Sequence, residues 1–230
     1  MAIAAVATVT GSGCAADPDA GNASIVVLPD DLIDNLESGD DRILALGFRD
    51  GFWYGFNDMT AGAMQSPDPN HFLPTMGGAM GSNYSAWTGG RGFTLWGAGM
   101  GFDLNNPGDP VGGPANRGTY DASAFKGVTF LAKGNMPIRV AIATEAVVDV
   151  AYKGTCVPDP GLLRSCDDTH GRQVSTSAEW RKFVIPFDSM RQEGFGKIAP
   201  LDLHKSMAIH FSVSQNSNFE YQVDDIGFYR

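Results

Sequence analysis

The fold class is decided by Phe219-Glu220-Tyr221-Gln222-Val223-Asp224-Asp225-Ile226-Gly227-Phe228-Tyr229, an apolar and aromatic run that carries two adjacent carboxylates. Successive side chains of a strand point to opposite faces, so Phe219, Tyr221 and Val223 share one face. Ile226 and Phe228 fall on the other parity, which means that the apolar register slips by one residue at the aspartates. The run therefore predicts a β-strand with a bulge at the Asp pair.

The two adjacent carboxylates raise the question of what neutralises them. Like charges held side by side repel, and a hard cation such as Ca²⁺ takes oxygen ligands of this kind. An early acidic segment, Asp34-Asn35-Leu36-Glu37-Ser38-Gly39-Asp40-Asp41, offers further oxygen atoms. The sequence thus favours a calcium site, and a bulged strand with solvated acids is the alternative.

Composition indicates strands joined by tight turns. The chain has 230 residues with 29 glycines and 13 prolines, whereas only 18% of its residues are charged. Such a chain fits one large β domain. The formal net charge of −10 argues against nucleic acid and anionic membrane surfaces as partners, because both need a basic footprint. Neutral sugars and cations remain compatible with this charge.

The first 30 residues are expected to lie outside the fold. They begin with an apolar stretch that reaches a lone Cys14, as in a bacterial lipoprotein signal, and continue with Asp, Pro, Gly and Asn. We therefore predict an exported protein, lipidated at Cys14 on the bacterial surface or released outside the cell, that meets a membrane only through this anchor. An ordinary cleaved signal or a disordered tail is the alternative. Residues 31–230 are predicted to form one domain.

Two further cysteines bracket a short loop that contains two prolines. Cys156 and Cys166 can close this loop as a disulfide in an oxidising compartment. Zinc is the rival ligand, since Asp167 and His170 complete a possible set of four. The exported character of the chain favours the disulfide, because structural zinc sites usually pair cysteines two to four residues apart.

Segments of period two recur along the body of the chain and predict strands. They cover 43–46, 52–56, 92–97, 128–133, 138–144, 181–187, 207–214 and 219–229. Turn clusters rich in Gly, Asn and Pro separate them, and helical signals are nearly absent. We therefore predict an all-β fold, a β-sandwich of the jelly-roll type with two antiparallel sheets.

In four segments the chain resembles the galactose-binding-like jelly rolls, which include bacterial carbohydrate-binding modules. The segments are Ile-Asp-Asn-Leu-Glu-Ser-Gly at 33–39, Phe-Lys-Gly-Val-Thr-Phe-Leu-Ala-Lys at 125–133, Glu-Trp-Arg-Lys-Phe-Val-Ile-Pro-Phe at 179–187 and Val-Asp-Asp-Ile-Gly-Phe at 223–228. The resemblance implies glycan binding and a structural Ca²⁺ where the first and last strands meet. Carried over to this chain, the ligands are Glu37 with Asp224 or Asp225, and Asp40 as an addition.

Strand parity suggests where a glycan binds. Trp53 and Trp96 each lie on the side opposite the presumed core residues of their strands, so we expect them to be exposed stacking platforms. Polar candidates near them are Arg49, Asp58, Arg139 and His210. If Trp87 or Tyr84 is exposed instead, the site moves to a loop tip. Trp180 is expected to be structural.

The sequence favours non-catalytic carbohydrate binding over two alternatives. It has no nucleophile elbow, no His-Glu-x-x-His and no glycine loop followed by Lys-Ser/Thr. A structural or adhesive surface protein using the same sandwich for protein contacts is the first alternative. A jelly-roll glycoside hydrolase, which needs a deep cleft with two facing carboxylates, is the second.

Overall fold

The computed structural model describes residue 25 and residues 27–69, 71–108 and 116–230. In these residues the chain forms short 3₁₀ turns and strands and no α-helix, and no helix is long and apolar enough to cross a bilayer. The strands are β1 Leu32–Asp34, β2 Trp53–Asn57, β3 Met64–Ser66, β4 Thr75–Met76, β5 Tyr84–Arg91, β6 Gly97–Asp103, β7 Gly127–Gly134, β8 Ile138–Thr144, β9 His170–Val174, β10 Arg181–Pro186, β11 Ser206–Ser214 and β12 Asn218–Tyr229. The 3₁₀ turns are Pro29–Asp31, Ala79–Gly81, Val150–Tyr152, Phe187–Ser189 and Leu203–Lys205.

Two antiparallel sheets pack face to face, which confirms the predicted sandwich. The seven-stranded sheet has the order β10-β7-β12-β5-β3, with β1 paired to β12 and β4 paired to β5. The five-stranded sheet has the order β2-β6-β11-β8-β9. Because hydrophobic residues alternate along each strand, the inner faces of both sheets meet in one large apolar core.

Strand β12 contains the predicted bulge. Its register to β7 shifts between Asp224 and Gly227, and Asp225 has a left-handed φ of 48°. The extra residue restores the apolar face, so that Val223 and Ile226 are both buried in the core. Strand β12 thereby pairs with β1, β5 and β7 at the centre of its sheet.

Two of the predicted strands differ from those observed. Residues 92–97 connect strands rather than forming one, because β5 ends at Arg91 and β6 starts at Gly97. In the predicted strand 43–46, Ile43 is buried, but these residues form no strand. Strand β2 is present, but its parity is opposite to the predicted one, with Trp53 inside and Tyr54 outside.

The predicted disulfide is confirmed. Cys156 and Cys166 are bonded, with their Cα atoms 5.8 Å apart. The bond closes the loop of residues 156–166 and removes both sulfur atoms from the zinc alternative. Cys14 and the rest of residues 1–24 lie outside the described residues, so the leader and its lipidation stay predictions.

A buried hydrogen bond joins the two sheets inside the core. Trp53, which is 3% exposed, donates its indole N–H to Asp34 Oδ2 at 2.7 Å, and Leu36 N donates to Asp34 Oδ1 at 3.0 Å. Burial raises the pKa of Asp34 to about 6, although these donors oppose the rise. The indole is thus a structural donor and also stacks on Phe72, with ring centroids 5.1 Å apart.

We predict that Trp53→Phe destabilises the fold more at pH 8 than at pH 4.5. The raised pKa means that stability from Asp34 is fully present below about pH 3.8 and is lost as pH rises through about 6. Without the indole donor, burying the ionised carboxylate should lower the free energy of unfolding by a further 1–3 kcal/mol, roughly, at pH 8. Urea unfolding at both pH values measures this difference. Phe72→Leu, which removes packing without a donor, is the control, and an equal pH effect in both variants would contradict the prediction.

Candidate functional site

The outer face of the five-stranded sheet, called here the groove face, carries a row of glycines along its second strand. In β6 the side chains of Ala98, Met100 and Phe102 point into the core and are fully buried. The alternate positions, Gly97, Gly99 and Gly101, therefore point outward. A Cβ atom at Gly99 would lie 2.7 Å from Phe56 Cζ, and one at Gly101 would lie 2.6 Å from His210 Cδ2. The rings of Phe56 and His210 therefore occupy the space that these glycines leave free, with their planes inclined by 54° to each other.

Half-buried aromatic rings continue from Phe56 in both directions. Its ring centroid lies 6.3 Å from that of Tyr54 and 6.1 Å from that of Trp96, the latter in a stacked arrangement. The guanidinium of Arg164, from the disulfide loop, lies 5.1 Å from the Trp96 ring centre and 3.6 Å from that of Phe195. The groove face thus presents aromatic surface from strand β2, from Trp96 directly before β6 and from the loop that carries Phe195.

Polar groups lie beside the aromatic row at one end of the groove face. His210 Nε2 is 2.9 Å from the Tyr54 hydroxyl, which donates to Asp103 Oδ1 at 3.2 Å. Arg117 pairs with the same carboxylate at 2.8 Å. Because the ionised Asp103 accepts only, the hydrogen bonds run from His210 to Tyr54 to Asp103, which assigns the proton of His210 to Nε2.

A cleft of about 280 Å³ lies at the other side of the groove face. Arg139 lines it on β8, and its guanidinium donates to Thr169 O at 2.9 Å and Arg191 O at 2.8 Å. Arg139 can lie across β9 because Gly171 has no side chain there. Among the described residues that line the cleft, Glu193 has the only carboxylate. The pair of facing carboxylates that a glycosidase needs is therefore not found in this lining.

Three predicted ligand contacts are wrong because their side chains are buried in structural roles. Trp53 lies in the core, where its indole binds Asp34. Arg49 is 2% exposed and donates to the carbonyl oxygens of Asp30 and Leu32, both at 2.8 Å. These two residues support the sheet junction from inside and cannot contact a ligand.

Asp58, the third wrong contact, positions another predicted residue. Its Oδ2 accepts backbone N–H groups of Leu95, Trp96 and Gly97 at 2.9 to 3.0 Å, and it is 6% exposed. Burial alone would raise the pKa of Asp58, but the hydrogen bonds outweigh burial and lower it. Asp58 thus fixes the turn that presents the Trp96 indole.

The other predicted contacts lie where the sequence placed them. Trp96, Arg139 and His210 are half-buried on the groove face. Trp96 directly precedes β6, Arg139 lies on β8 and His210 on β11, and in the sheet β11 is the neighbour of both β6 and β8. Strand parity wrongly placed Tyr54 and Phe56 on the core side of β2, and no sequence pattern indicated Arg164 and Phe195. The alternation of glycine in Gly97-Ala-Gly-Met-Gly-Phe-Asp103 was the signal that could have revealed the flat floor beside them.

The four predicted calcium ligands do not form one cluster. Asp40 Oδ1 accepts from Ser38 and Arg42, and Asp224 accepts from Ala79 N at 2.7 Å and Asp225 N at 2.8 Å. Within the described ranges no group of three or more His, Cys, Asp or Glu residues could hold a metal ion. The structure therefore does not bring all four residues together at one site, and the assignment of Asp40 and Asp224 as ligands stays a prediction.

Glu37 and Asp225 remain close enough to interact. Burial raises the pKa of Asp225, and the charge of Glu37 raises it further. Glu37 also accepts hydrogen bonds from the backbone N–H groups of Asn83 at 2.8 Å and Tyr84 at 3.0 Å. The residues thus fit a smaller site of two carboxylates, in which backbone carbonyls would complete the shell.

Comparisons with solved structures show the fold. The chain is similar to the family 11 carbohydrate-binding module of the cellulosomal cellulase Lic26A-Cel5E of Clostridium thermocellum, with 19% identity and a TM-score of 0.50 over 77% of this chain and 86% of that one. The family 30 carbohydrate-binding module of the cellulosomal cellulase Cel9D-Cel44B of the same organism has 12% identity and a TM-score of 0.48 over 76% and 90%. No protein-family model and no curated protein matches the sequence. The chain has the β-sandwich fold of carbohydrate-binding modules.

We predict that His210 makes the fold sensitive to acid. Burial, with the charges of Arg117 and Arg139, lowers the pKa of His210 to about 3, whereas an unfolded histidine titrates near 6.5. The resulting stability is present above about pH 6.5 and is lost as pH falls toward 3. Between pH 7.5 and pH 5 the wild type should lose about 2 kcal/mol relative to His210→Gln.

Urea unfolding at the two pH values measures this loss. His71→Gln, at an exposed histidine, is the control for the loss of an imidazole. Equal pH dependence in the wild type and His210→Gln would contradict the assignment of a neutral, buried His210.

Proposed function

We propose that the protein is a non-catalytic carbohydrate-binding module that holds a glycan on the groove face. The observation that carries the proposal is the pair of rings, Phe56 and Trp96, beside the glycine floor of β6. Both rings are half-buried, so part of each stays exposed beside these glycines. An exposed aromatic surface can stack on the C–H groups of a pyranose ring.

Polar groups on both sides of the rings suit a hydroxyl-rich ligand. The Tyr54–His210 pair borders the row on the strand side, and Arg164 borders it on the loop side. The cleft beyond His210 is lined by Gln173, Ser212 and Ser214 as well as by Arg139. Amides, hydroxyls and guanidinium groups exchange hydrogen bonds with sugar hydroxyls, and together they can fix orientation while the rings supply contact area.

The residues of the proposed site are held in place by the protein itself, without a ligand. Asp58 holds the backbone of Trp96 through three N–H groups, and Asp168 accepts from Glu193 N at 2.9 Å and Gly194 N at 2.8 Å next to Phe195. The disulfide anchors the loop that carries Arg164. Little ordering entropy is then spent on binding, which favours affinity.

We predict that Trp96→Ala and Phe56→Ala each weaken glycan binding about fivefold to tenfold. Stacking contributes on the order of 1 kcal/mol beyond the burial of area. A glycan microarray identifies ligands, and titration calorimetry with each positive glycan measures affinity. Phe48→Ala is the matched control, because this phenylalanine is fully exposed in a turn away from the proposed site. Wild-type affinity in both ring variants, with unchanged melting temperatures, would contradict the proposal.

We further propose that Ca²⁺ binds between Glu37 and Asp225 and stabilises the junction of the first and last strands. The mutual repulsion of these carboxylates supports the proposal, because a cation between them would relieve it. Asp225 lies in the bulge of β12, and Glu37 follows β1. When bound, the ion would have a structural role and no part in ligand chemistry.

Calcium should raise the melting temperature of chelator-treated protein, because a ligand that binds only the folded state stabilises it by mass action. Asp225→Asn should abolish the rise, whereas Asp40→Asn, at a carboxylate engaged by its own turn, should keep it. Differential scanning calorimetry with and without Ca²⁺ measures both effects. An unchanged wild-type melting temperature would show that the carboxylates do not hold the ion.

We also propose that the protein works outside the cytosol. The Cys156–Cys166 bond supports this, since disulfides persist in oxidising compartments. The same proposal includes a lipid anchor at Cys14 that retains the protein on the cell surface.

A further inference from the structure

A pair of indoles, Trp87 and Trp180, lies on the opposite side of the sandwich from the groove face. Trp87 is on β5 and Trp180 directly precedes β10, and both are half-buried on the outer face of the seven-stranded sheet. Strands β5, β12, β7 and β10 are consecutive neighbours in that sheet. Gln222 on β12 is the register partner of both Trp87 and Lys133. The Lys133 ammonium lies 4.9 Å from the Trp180 ring centre, so these four residues form a row across the strands.

The Trp87 indole extends over a neighbouring glycine and is held there by a hydrogen bond. A Cβ atom at Gly89 would lie 3.1 Å from Trp87 Cζ2 and 3.6 Å from Cη2, so the ring extends over this glycine. Its Nε1 donates to Glu220 Oε1 at 3.1 Å, which restrains the ring. The indole is half-buried, so part of it packs on the strand and part is exposed. Phe56 likewise occupies the space beside Gly99 on the groove face.

A groove of about 500 Å³ lies over the middle of the row. This volume falls within the range of roughly 300–1,000 Å³ that is typical of small-molecule sites. The polar side chains that line it are Lys133, Asn135, Thr176, Ser177, Glu220 and Gln222. Two of these side chains contact the indoles, because Glu220 accepts from Trp87 and Lys133 lies over the Trp180 ring. Charged groups, amides and hydroxyls next to aromatic rings are the chemistry that recognises a ring with many hydroxyl groups.

Gln222 gives a second, independent indication of a ligand. Its side-chain oxygen is covered by neighbouring atoms, yet it accepts no hydrogen bond in the described part of the chain. Buried polar atoms are normally paired, so an unpaired one calls for an explanation. Turning this amide toward a ligand in the groove would break no hydrogen bond to its oxygen. Gln222 is therefore poised to exchange hydrogen bonds with a sugar between the two tryptophans.

We propose that the outer face of the seven-stranded sheet is a second carbohydrate-binding site, with Trp87 as its stacking platform and Gln222 as its central polar contact. Its ligand class is a glycan chain of pyranose units. The two outer faces of a sandwich point in opposite directions, so one domain would hold two glycan chains at once. The proposal rests on residues different from those of the groove face and can hold or fail independently.

Affinity gel electrophoresis tests the proposal with mixed-linkage β-1,3-1,4-glucan, xylan, galactomannan and pectin as separate probes. The proteins are the wild type, Trp96→Ala, Trp87→Ala and the double variant of both, with Phe48→Ala as the exposed-ring control. Gln222→Ala is an additional probe of the second site, because it removes the unpaired amide without removing a large side chain. Thermal melting of each variant verifies that the fold is retained.

We expect Trp87→Ala to weaken retardation by at least one polysaccharide several-fold. Gln222→Ala should weaken retardation by the same polysaccharide, and the double variant should lose the retardation that Trp96→Ala retains.

Wild-type mobility of both Trp87→Ala and Gln222→Ala, with loss of retardation in Trp96→Ala, would overturn the second site and support the groove face. Loss in Trp87→Ala with wild-type mobility of Trp96→Ala would support the second site and contradict the first. A wild type that no polysaccharide retards would overturn both.

Discussion

The groove face depends on the outward glycines of β6. Ala98, Met100 and Phe102 of this strand fill the core, whereas the outward positions 97, 99 and 101 are glycines without side chains. A side chain at Gly99 would meet the backbone oxygen of Phe211 as well as the Phe56 ring. The close pairing of β6 with β11 and the position of the Phe56 ring therefore share one steric requirement. The same requirement recurs at Gly89 under Trp87, so both outer faces use a missing Cβ to lay a ring against the sheet.

Inside the sandwich, a few paired polar groups fix how the sheets face each other. The Trp53 indole bonds Asp34 across the core, from β2 of one sheet to β1 of the other. The Tyr221 hydroxyl donates to Phe211 O at 2.6 Å and links β12 to β11 in the same way. Apolar packing alone tolerates small slides of one sheet over the other, whereas these bonds are satisfied in one arrangement only. Because these hydrogen bonds fix one sheet relative to the other, they also fix where the outer faces of the two sheets lie.

The sequence was informative where structure is decided by neighbours along the chain. The bulge at Asp224 and Asp225, the bonded pair Cys156 and Cys166, and six of the twelve strands in the part of the chain that the structure describes follow from local alternation and short spacing. The parity of β2 could not be predicted in this way, because Trp53 points inward to reach Asp34, which lies 19 residues away and on the other sheet. Strand β6 was missed because alternating glycines lower strand propensity, although they form the floor of the candidate site. Arg164 and Phe195 come from loops, whose meeting point depends on the disulfide and on the turn held by Asp168.

Two buried titrating groups act in opposite directions on the stability of the fold. As pH falls from about 6 toward 4, Asp34 takes up a proton that its buried site favours, and the fold gains stability. Over the same range the unfolded chain protonates His210, which the folded chain keeps neutral, and the fold loses stability. Burial raises the pKa of Asp224 to about 6 as well, so this carboxyl acts in the same direction as Asp34. The pH dependence of the wild type between pH 4 and pH 6 is therefore a sum of opposing contributions, with carboxyls on one side and the imidazole on the other. Removing the His210 imidazole uncovers the contribution of the carboxyls, because Asp34 and His210 belong to different hydrogen-bond networks.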